Sequence, residues 1–201
     1  MATMLKFGPA DHGRRVSDEE AESGDYVRGY KYEVIDGRLY VSPLPDLPHD
    51  WVEMFLLRKF LAYAEAHPQV INHVTNKARV FVPDVRRTTS PEPDLAVYRD
   101  FPHAALPDVH WRDVSPVLVV EVLGGEDDAK DLERNVELYL RVPSIREYWV
   151  VDIRAEATRP ALLAHRRRAD RWSVKAVPFG TAYTTRLLPG LDLVLNPRGG
   201  A

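Results

Sequence analysis

The pattern of apolar and polar positions divides the chain into a hairpin, a long helix and a series of short strands. Tyr30 to Ser42 alternates on both sides of Asp36-Gly37, a two-residue turn whose backbone suits twisted strands. His49 to His67 carries Trp51, Met54, Phe55, Leu57, Leu61 and Ala62 at helical spacing, with Pro48 before it and Pro68 as its stop. Strand-like runs follow at Val74–Val82, Asp94–Tyr98, Val117–Leu123 and Glu147–Ile153. The third is nearly unbroken in its apolar character, which predicts a strand covered on both faces. A helix is expected from about Asp128 to Val142, so a strand, a helix and a strand succeed one another as a βαβ unit. Ala161–Arg167, Arg171–Val177 and Leu191–Leu195 complete the set. The expected fold class is α/β or α+β, a mixed sheet with few helices, an N-terminal hairpin and C-terminal strands.

Length and composition narrow this further. The 201 residues suit a single domain. Residues 1–25 read as a polar, loosely ordered segment with a short helix after the capping box Ser17-Asp18-Glu19-Glu20, and 26–201 as the domain itself. The absence of cysteine excludes a disulfide scaffold, a cysteine-ligated zinc site and a thiol nucleophile, and fits a cytoplasmic location. No apolar run approaches the roughly 20 residues of a membrane span, and Met1 to His12 lacks a signal-peptide layout, so no membrane association is expected. The net charge of −3 conceals an asymmetry: nine basic and three acidic residues from Arg154 onward, and an excess of nine acidic residues before it. The basic end is compatible with a polyanion contact or with a solvated hairpin. Arg166-Arg167-Arg168 with Arg171 and Trp172 is the place to look for such a contact, although strand alternation sends some of these side chains to opposite faces. No helix-turn-helix or zinc-finger reader is visible.

Two carboxylates stand out. Asp94 follows Pro93 and opens a short strand, and Glu121 interrupts the apolar run on the face shared by Val117, Val119 and Leu123. A charge inside a buried strand is costly unless it is paired or bound to a metal. Paired carboxylates on neighbouring strands are what a hard divalent ion such as Mg²⁺ requires, and such an ion can activate a water and stabilise charge on a transferring phosphoryl group.

Pro93-Asp94, followed 27 residues later by Glu121-Val122-Leu123, resembles the PD-(D/E)XK nuclease pattern. The wider series Tyr32-Glu33-Val34-Ile35-Asp36-Gly37, Pro93-Asp94-Leu95, Leu118-Val119-Val120-Glu121-Val122-Leu123 and Glu147-Tyr148-Trp149-Val150-Val151-Asp152 resembles, in order, the Uma-type restriction endonuclease family of that superfamily. The likeness spans about residues 17–196 and includes the closing Leu188-Pro189-Gly190-Leu191. It implies a restriction-endonuclease-like core, a Mg²⁺ or Mn²⁺ ion held by Asp94 and Glu121, and a metal-dependent endonuclease acting on nucleic acid, with DNA the expected form. A homodimer is the expected assembly for an enzyme cutting two strands. Glu33 matches a family glutamate of the first hairpin and is either a site residue or a cross-strand partner. His49 falls where the family often has a histidine and is either a site residue or a helix-terminus hydrogen-bonding group.

One position departs from the family. The superfamily uses a lysine to orient the attacking water. The place two residues after Glu121 is Leu123, and in the helical stretch Asp131-Leu132-Glu133-Arg134-Asn135 the family's lysine position is Asn135. At about 100° per residue, Leu132, Val136 and Tyr139 form the inward stripe, with Asn135 and Asp128 at its edge and Lys130 and Arg134 on the solvent face. Lys130, if outside the regular helix, and Lys77 are the substitutes. Three functions stay open: a nuclease using Asn135 or a migrated lysine, a catalytically degenerate fold that binds nucleic acid or protein, and a structural module.

Overall fold

The N-terminal quarter folds as a small layer of its own. The structure, a computed structural model, describes residues 6–106, 108–124 and 130–198. Strand β1 (Lys6–Phe7) pairs in parallel with β2 (Asp25–Tyr26), and between them lies α1 (Asp18–Ser23). The capping box is formed: Ser17 Oγ accepts from Glu20 N, and Glu20 Oε2 accepts from Ser17 N. The stretch expected to be loosely ordered contributes Phe7, Val16 and Ala21 to a cluster with Tyr32, Val34 and Leu39. Those last three belong to the hairpin of β3 (Tyr30–Ile35) and β4 (Arg38–Pro43). Its turn residues Asp36 and Gly37 both have positive φ, 48° and 68°, as the two-residue turn requires.

Helix α2 (Leu47–Ala66) begins at the Asp46 cap, whose carboxylate accepts from His49 N. Six strands then form one mixed sheet: β5 (His73–Thr75), β6 (Leu95–Tyr98), β7 (Leu118–Leu123), β8 (Glu147–Asp152), β9 (Ala161–Arg168) and β10 (Arg171–Val177), adjacent in that order. Within this sheet only the β7–β8 pairing is parallel among the described residues, which is the expected βαβ unit. A short ribbon of β11 (Ala182–Tyr183) and β12 (Leu193–Val194) follows. All six side chains of β7 are buried, as its unbroken apolar run predicts. On one face Val120, Val122, Trp149 and Val151 meet α2 and the C-terminal ribbon; on the other Val119, Leu123, Tyr148 and Val150 meet the helix between β7 and β8.

Three expectations need correction. The run Val74–Val82 is a strand only at His73–Thr75; beyond it Val80 N and Val82 N bond to the carbonyls of Pro91 and Thr89, outside the sheet. Helix α2 buries Val52, Phe55, Leu56, Phe60 and Tyr63, whereas Met54 and Leu61 are exposed. It is apolar on more than one side, so the spacing did not single out the docking face. The helix after β7 is not regular. It opens with a π-helical turn, Lys130–Arg134, and continues as α3 (Asn135–Leu140). The wider turn breaks the 100° count used to place Lys130 and Arg134. Asp128, the expected start of this helix, lies outside the described residues.

The basic hairpin is largely structural at one of its arginines. Arg167 donates to the carbonyls of Tyr139, Val142 and Ile145, capping the end of α3, and its guanidinium stacks over Trp172. Trp172 in turn donates to Val136 O. Replacing Arg167 by Ala strands these carbonyls at a cost of about 2–3 kcal/mol. The expected outcome is a melting temperature lower by roughly 5–10 °C, measured by calorimetry, with Arg167→Lys intermediate.

Candidate metal and nucleic-acid site

The sheet register sets Asp94 beside Glu121. Leu95 pairs with Val120, so the residue before β6 faces the middle of β7. Each acid is tied to the other's strand segment: Asp94 N donates to Glu121 Oε2 at 3.2 Å, and Val122 N donates to Asp94 Oδ2 at 2.7 Å. Both are buried, at 5% and 1% exposure.

Three elements bring polar groups to this pair. The first is the N-terminal hairpin, anchored at its Val34 to Ser90 in the segment leading into Asp94. Alternation along β3 puts Lys31 and Glu33 on the same side. Lys31 Nζ lies 2.7 Å from Asp94 Oδ1. Glu33 is buried and accepts from Lys130 Nζ at 3.1 Å and from Arg134 Nη2 at 3.2 Å. The second element is the start of α2. His49 Nε2 lies 3.0 Å from Asp94 Oδ2, and His49 Nδ1 has no hydrogen-bond partner and lies 3.9 Å from Glu53 Oε2. The third is the distorted helix. Asn135 Nδ2 donates to Glu121 Oε1 at 3.1 Å and to Asp131 Oδ1 at 3.0 Å, and Tyr139 Oη donates to Glu121 Oε1 at 3.0 Å.

The structure thus gathers Asp94, Glu121, Asn135, Glu33, Lys130 and His49 in one place, and the π-helical turn explains why Lys130 and Arg134 face the acids rather than solvent. Lys77 is exposed at the rim of a cleft that reaches Asp94 and has no carboxylate partner among the described residues. Sequence reasoning missed Lys31, Glu53 and Asp131. Lys31 was visible as the residue two before Glu33 on an alternating strand, hence on the same face. Glu53, one turn after His49 on α2, was legible in the same way. Asp131 falls in the stretch compared with the family but was not weighed as a site group.

Electrostatics follows from burial and neighbours. Burial raises the Asp94 pKa, but Lys31 and His49 outweigh it and hold the group well below the usual carboxylate range. Burial likewise works against Glu33 ionisation, and Lys130, Arg134 and Lys31 overcome it. Glu121 goes the other way: burial, then the charges of Asp131 and Asp94, push its pKa well above normal. Burial, with the charges of Asp94 and Glu33, lifts Asp131 to about 6 despite Lys130. The His49 pKa is raised by its bond to Asp94 against the opposing effect of burial. His49, Glu53 and Asp94 offer ligand atoms that all lie within 4.8 Å of one another, a donor set of one imidazole nitrogen and two carboxylate oxygens that can hold a divalent ion.

The mixed sheet with its parallel β7–β8 unit has a counterpart among solved structures. It is similar, with a TM-score of 0.60 and 15% identity over 82% of this chain and 87% of the other, to an Anabaena variabilis protein whose crystal structure is described as "a putative nuclease belonging to DUF820". Residues 23–196 match the profile of the family described as "Uma2: Putative restriction endonuclease", and the chain belongs to that family. No curated protein matches it. Among the described residues no helix is long and apolar enough to cross a membrane.

The pair Asp131 and Glu121 yields a pH prediction. With its native pKa raised from 3.8 to about 6, Asp131 contributes stability below its unfolded value that is lost as pH rises through about 6. Asp131→Asn keeps an oxygen for Asn135 and removes the charge. The variant is expected to melt higher than the parent by about 5 °C at pH 8 and to match it near pH 4, read by thermal denaturation at both values.

Proposed function

We propose that the protein is a metal-dependent phosphodiesterase acting on nucleic acid, in which Lys31 supplies the positive charge that the family draws from the position of Asn135. The observation that carries this reading is the Lys31 ammonium 2.7 Å from Asp94, half-buried beside the acids at the point where the cleft reaches them. The cation has moved from the helix to the hairpin, while its place beside the carboxylates is kept.

The residues present fit a divalent ion. A buried imidazole nitrogen with no other partner faces Glu53, and Asp94 lies on the other side of the same ring. Asp94 and Glu121, with His49 and Glu53 beside them, would hold the ion. When bound, it supplies Lewis-acid stabilisation of a phosphoryl group and a nucleophilic water at neutral pH. The protein's own groups do the rest. Lys31 orients a water at Asp94 Oδ1 and stabilises charge developing on the phosphate. Lys130 and Arg134, fixed by Glu33, add positive charge beside the acids. Asn135 and Tyr139 hold Glu121 Oε1, so that only small motions of that carboxylate are allowed. The imidazole in the donor set favours Mn²⁺ over Mg²⁺, which prefers oxygen alone.

Glu121 supports a second reading. It is 1% exposed, and Asn135, Tyr139 and the Asp94 amide use both of its oxygens. In that reading the cluster is a polar core, and the chain binds nucleic acid without cutting it.

Both readings meet one experiment. In the first, Mn²⁺ raises the melting temperature, by about 2.7 kcal/mol of stabilisation at a hundredfold excess over the dissociation constant. Asp94→Ala removes this shift and His49→Gln diminishes the preference for Mn²⁺. Cleavage of plasmid or single-stranded DNA falls at least a hundredfold in Lys31→Ala, while that variant still responds to Mn²⁺. A parent that neither cleaves nor responds to metal, with Asn135→Lys gaining cleavage, selects the second reading. Unchanged cleavage in Lys31→Ala sinks the role given to Lys31.

A further inference from the structure

A second cluster of charge lies away from the acids. At the other end of the sheet, where β8 begins and β9 ends, an open concavity of about 800 Å³ is lined by Arg146, Arg166, Arg167, Arg168 and Arg186. Glu147 is level with Leu118 on β7, three residues before Glu121, so this end lies roughly 10 Å or more along the strands from the carboxylate site. The faces differ as well. Glu147 and Arg166 point to the α2 side with Trp149 and Ala164, whereas Glu121 points to the α3 side with Val119.

The charge of this concavity is not balanced from within. Its one carboxylate, Glu147, is buried and already accepts from Trp149 Nε1, Tyr183 Oη and Thr185 Oγ1. Arg166 and Arg167 are fixed by hydrogen bonds to Tyr183, Thr184 and the end of α3. Arg146, Arg168 and Arg186 are exposed and have no carboxylate partner among the described residues. Guanidinium groups crowded in this way repel one another, and Arg146 adds to the effect of burial in lowering the Arg167 pKa. The protein as a whole carries −3, so the cluster does not follow from a basic composition.

We propose that this concavity is a second nucleic-acid site, which grips the phosphate backbone away from the carboxylates. Two fixed guanidiniums give it shape, three free ones give it reach, and Arg166 and Arg168 stand two residues apart on one strand, about 6.6 Å, so adjacent phosphates can be met together. The threonines of the rim add neutral donors. None of the exposed large apolar side chains lines it, which argues for a hydrated polyphosphate chain over a lipid surface. The proposal rests on the reading of nucleic acid as the partner but not on catalysis.

The test is binding without cleavage. Anisotropy of labelled duplex and single-stranded DNA is measured across a salt series in EDTA. The parent is compared with Arg146→Ala/Arg168→Ala/Arg186→Ala and with the charge-matched control Arg28→Ala/Arg58→Ala/Arg141→Ala. The three exposed arginines have no partners to lose, so their variant is expected to melt with the parent. It should bind at least tenfold more weakly, with a salt slope smaller by about 2–3, while the control stays within twofold of the parent. Inorganic tripolyphosphate should compete with DNA for the parent and not for the triple variant. Equal losses in the two triple variants, or tripolyphosphate binding with no DNA binding, would overturn the proposal. A parent that binds through these arginines but never cleaves leaves this site standing and removes the phosphodiesterase, and cleavage with unaltered binding does the reverse.

Discussion

Carboxylates buried inside a sheet must be neutralised by groups the sheet does not itself supply. Asp94 and Glu121 are held beside one another by the antiparallel register of β6 and β7, through the amides of Val122 and Asp94, so neither can swing out to water. Everything around them answers that constraint. The hairpin delivers Lys31, the distorted helix delivers Lys130, Arg134 and Asn135, and the start of α2 delivers His49. The answer is uneven. Asp94 receives a lysine and a histidine, which hold its pKa down, whereas Glu121 receives only neutral donors, and burial with the repulsion of Asp131 and Asp94 raises its pKa. That difference separates two neighbouring carboxylates by the charges around them.

The elements that carry this arrangement were legible in proportion to how local their signals are. β7 was readable from its apolar run, the hairpin from alternation and turn chemistry, and the capping box from four consecutive residues. Asp94 and Glu121 stood out because charge is expensive in such strands. The helical wheel failed at Lys130 and Arg134, since a single π-helical turn changes the angle between residues and leaves no trace in composition. Lys31 was missed for a different reason. Its partner is 63 positions away in sequence, and only the docking of the hairpin against Ser90 brings the two together. The basic run near the C-terminus was visible as charge, but the division of labour inside it depends on the end of α3, which arrives from outside the hairpin.

The two ends of the sheet are built on opposite terms. At one end acids outnumber the space for them and are compensated by cations drawn from three elements. At the other, arginines collect around a single satisfied carboxylate and are left in excess. A near-neutral total charge hides both, because the chain concentrates each sign where the backbone can hold it.

The hairpin carries one more consequence. It forms a two-stranded ribbon separate from the six-stranded sheet, and its packing centres on the small cluster of Phe7, Val16, Ala21 and Leu39. Its contacts with the rest of the chain are polar, Val34 with Ser90, Lys31 with Asp94 and Glu33 with Lys130 and Arg134, and a unit with few apolar contacts to the main cores opens at a lower free energy than the central strands do. Amide exchange would accordingly run faster in β3 and β4 than in β7 and β8. Each opening would carry Lys31 and Glu33 away together, leaving the acids exposed to solvent on a sheet that is still folded. The integrity of the site would then follow a local equilibrium of the ribbon, distinct from the global stability of the fold.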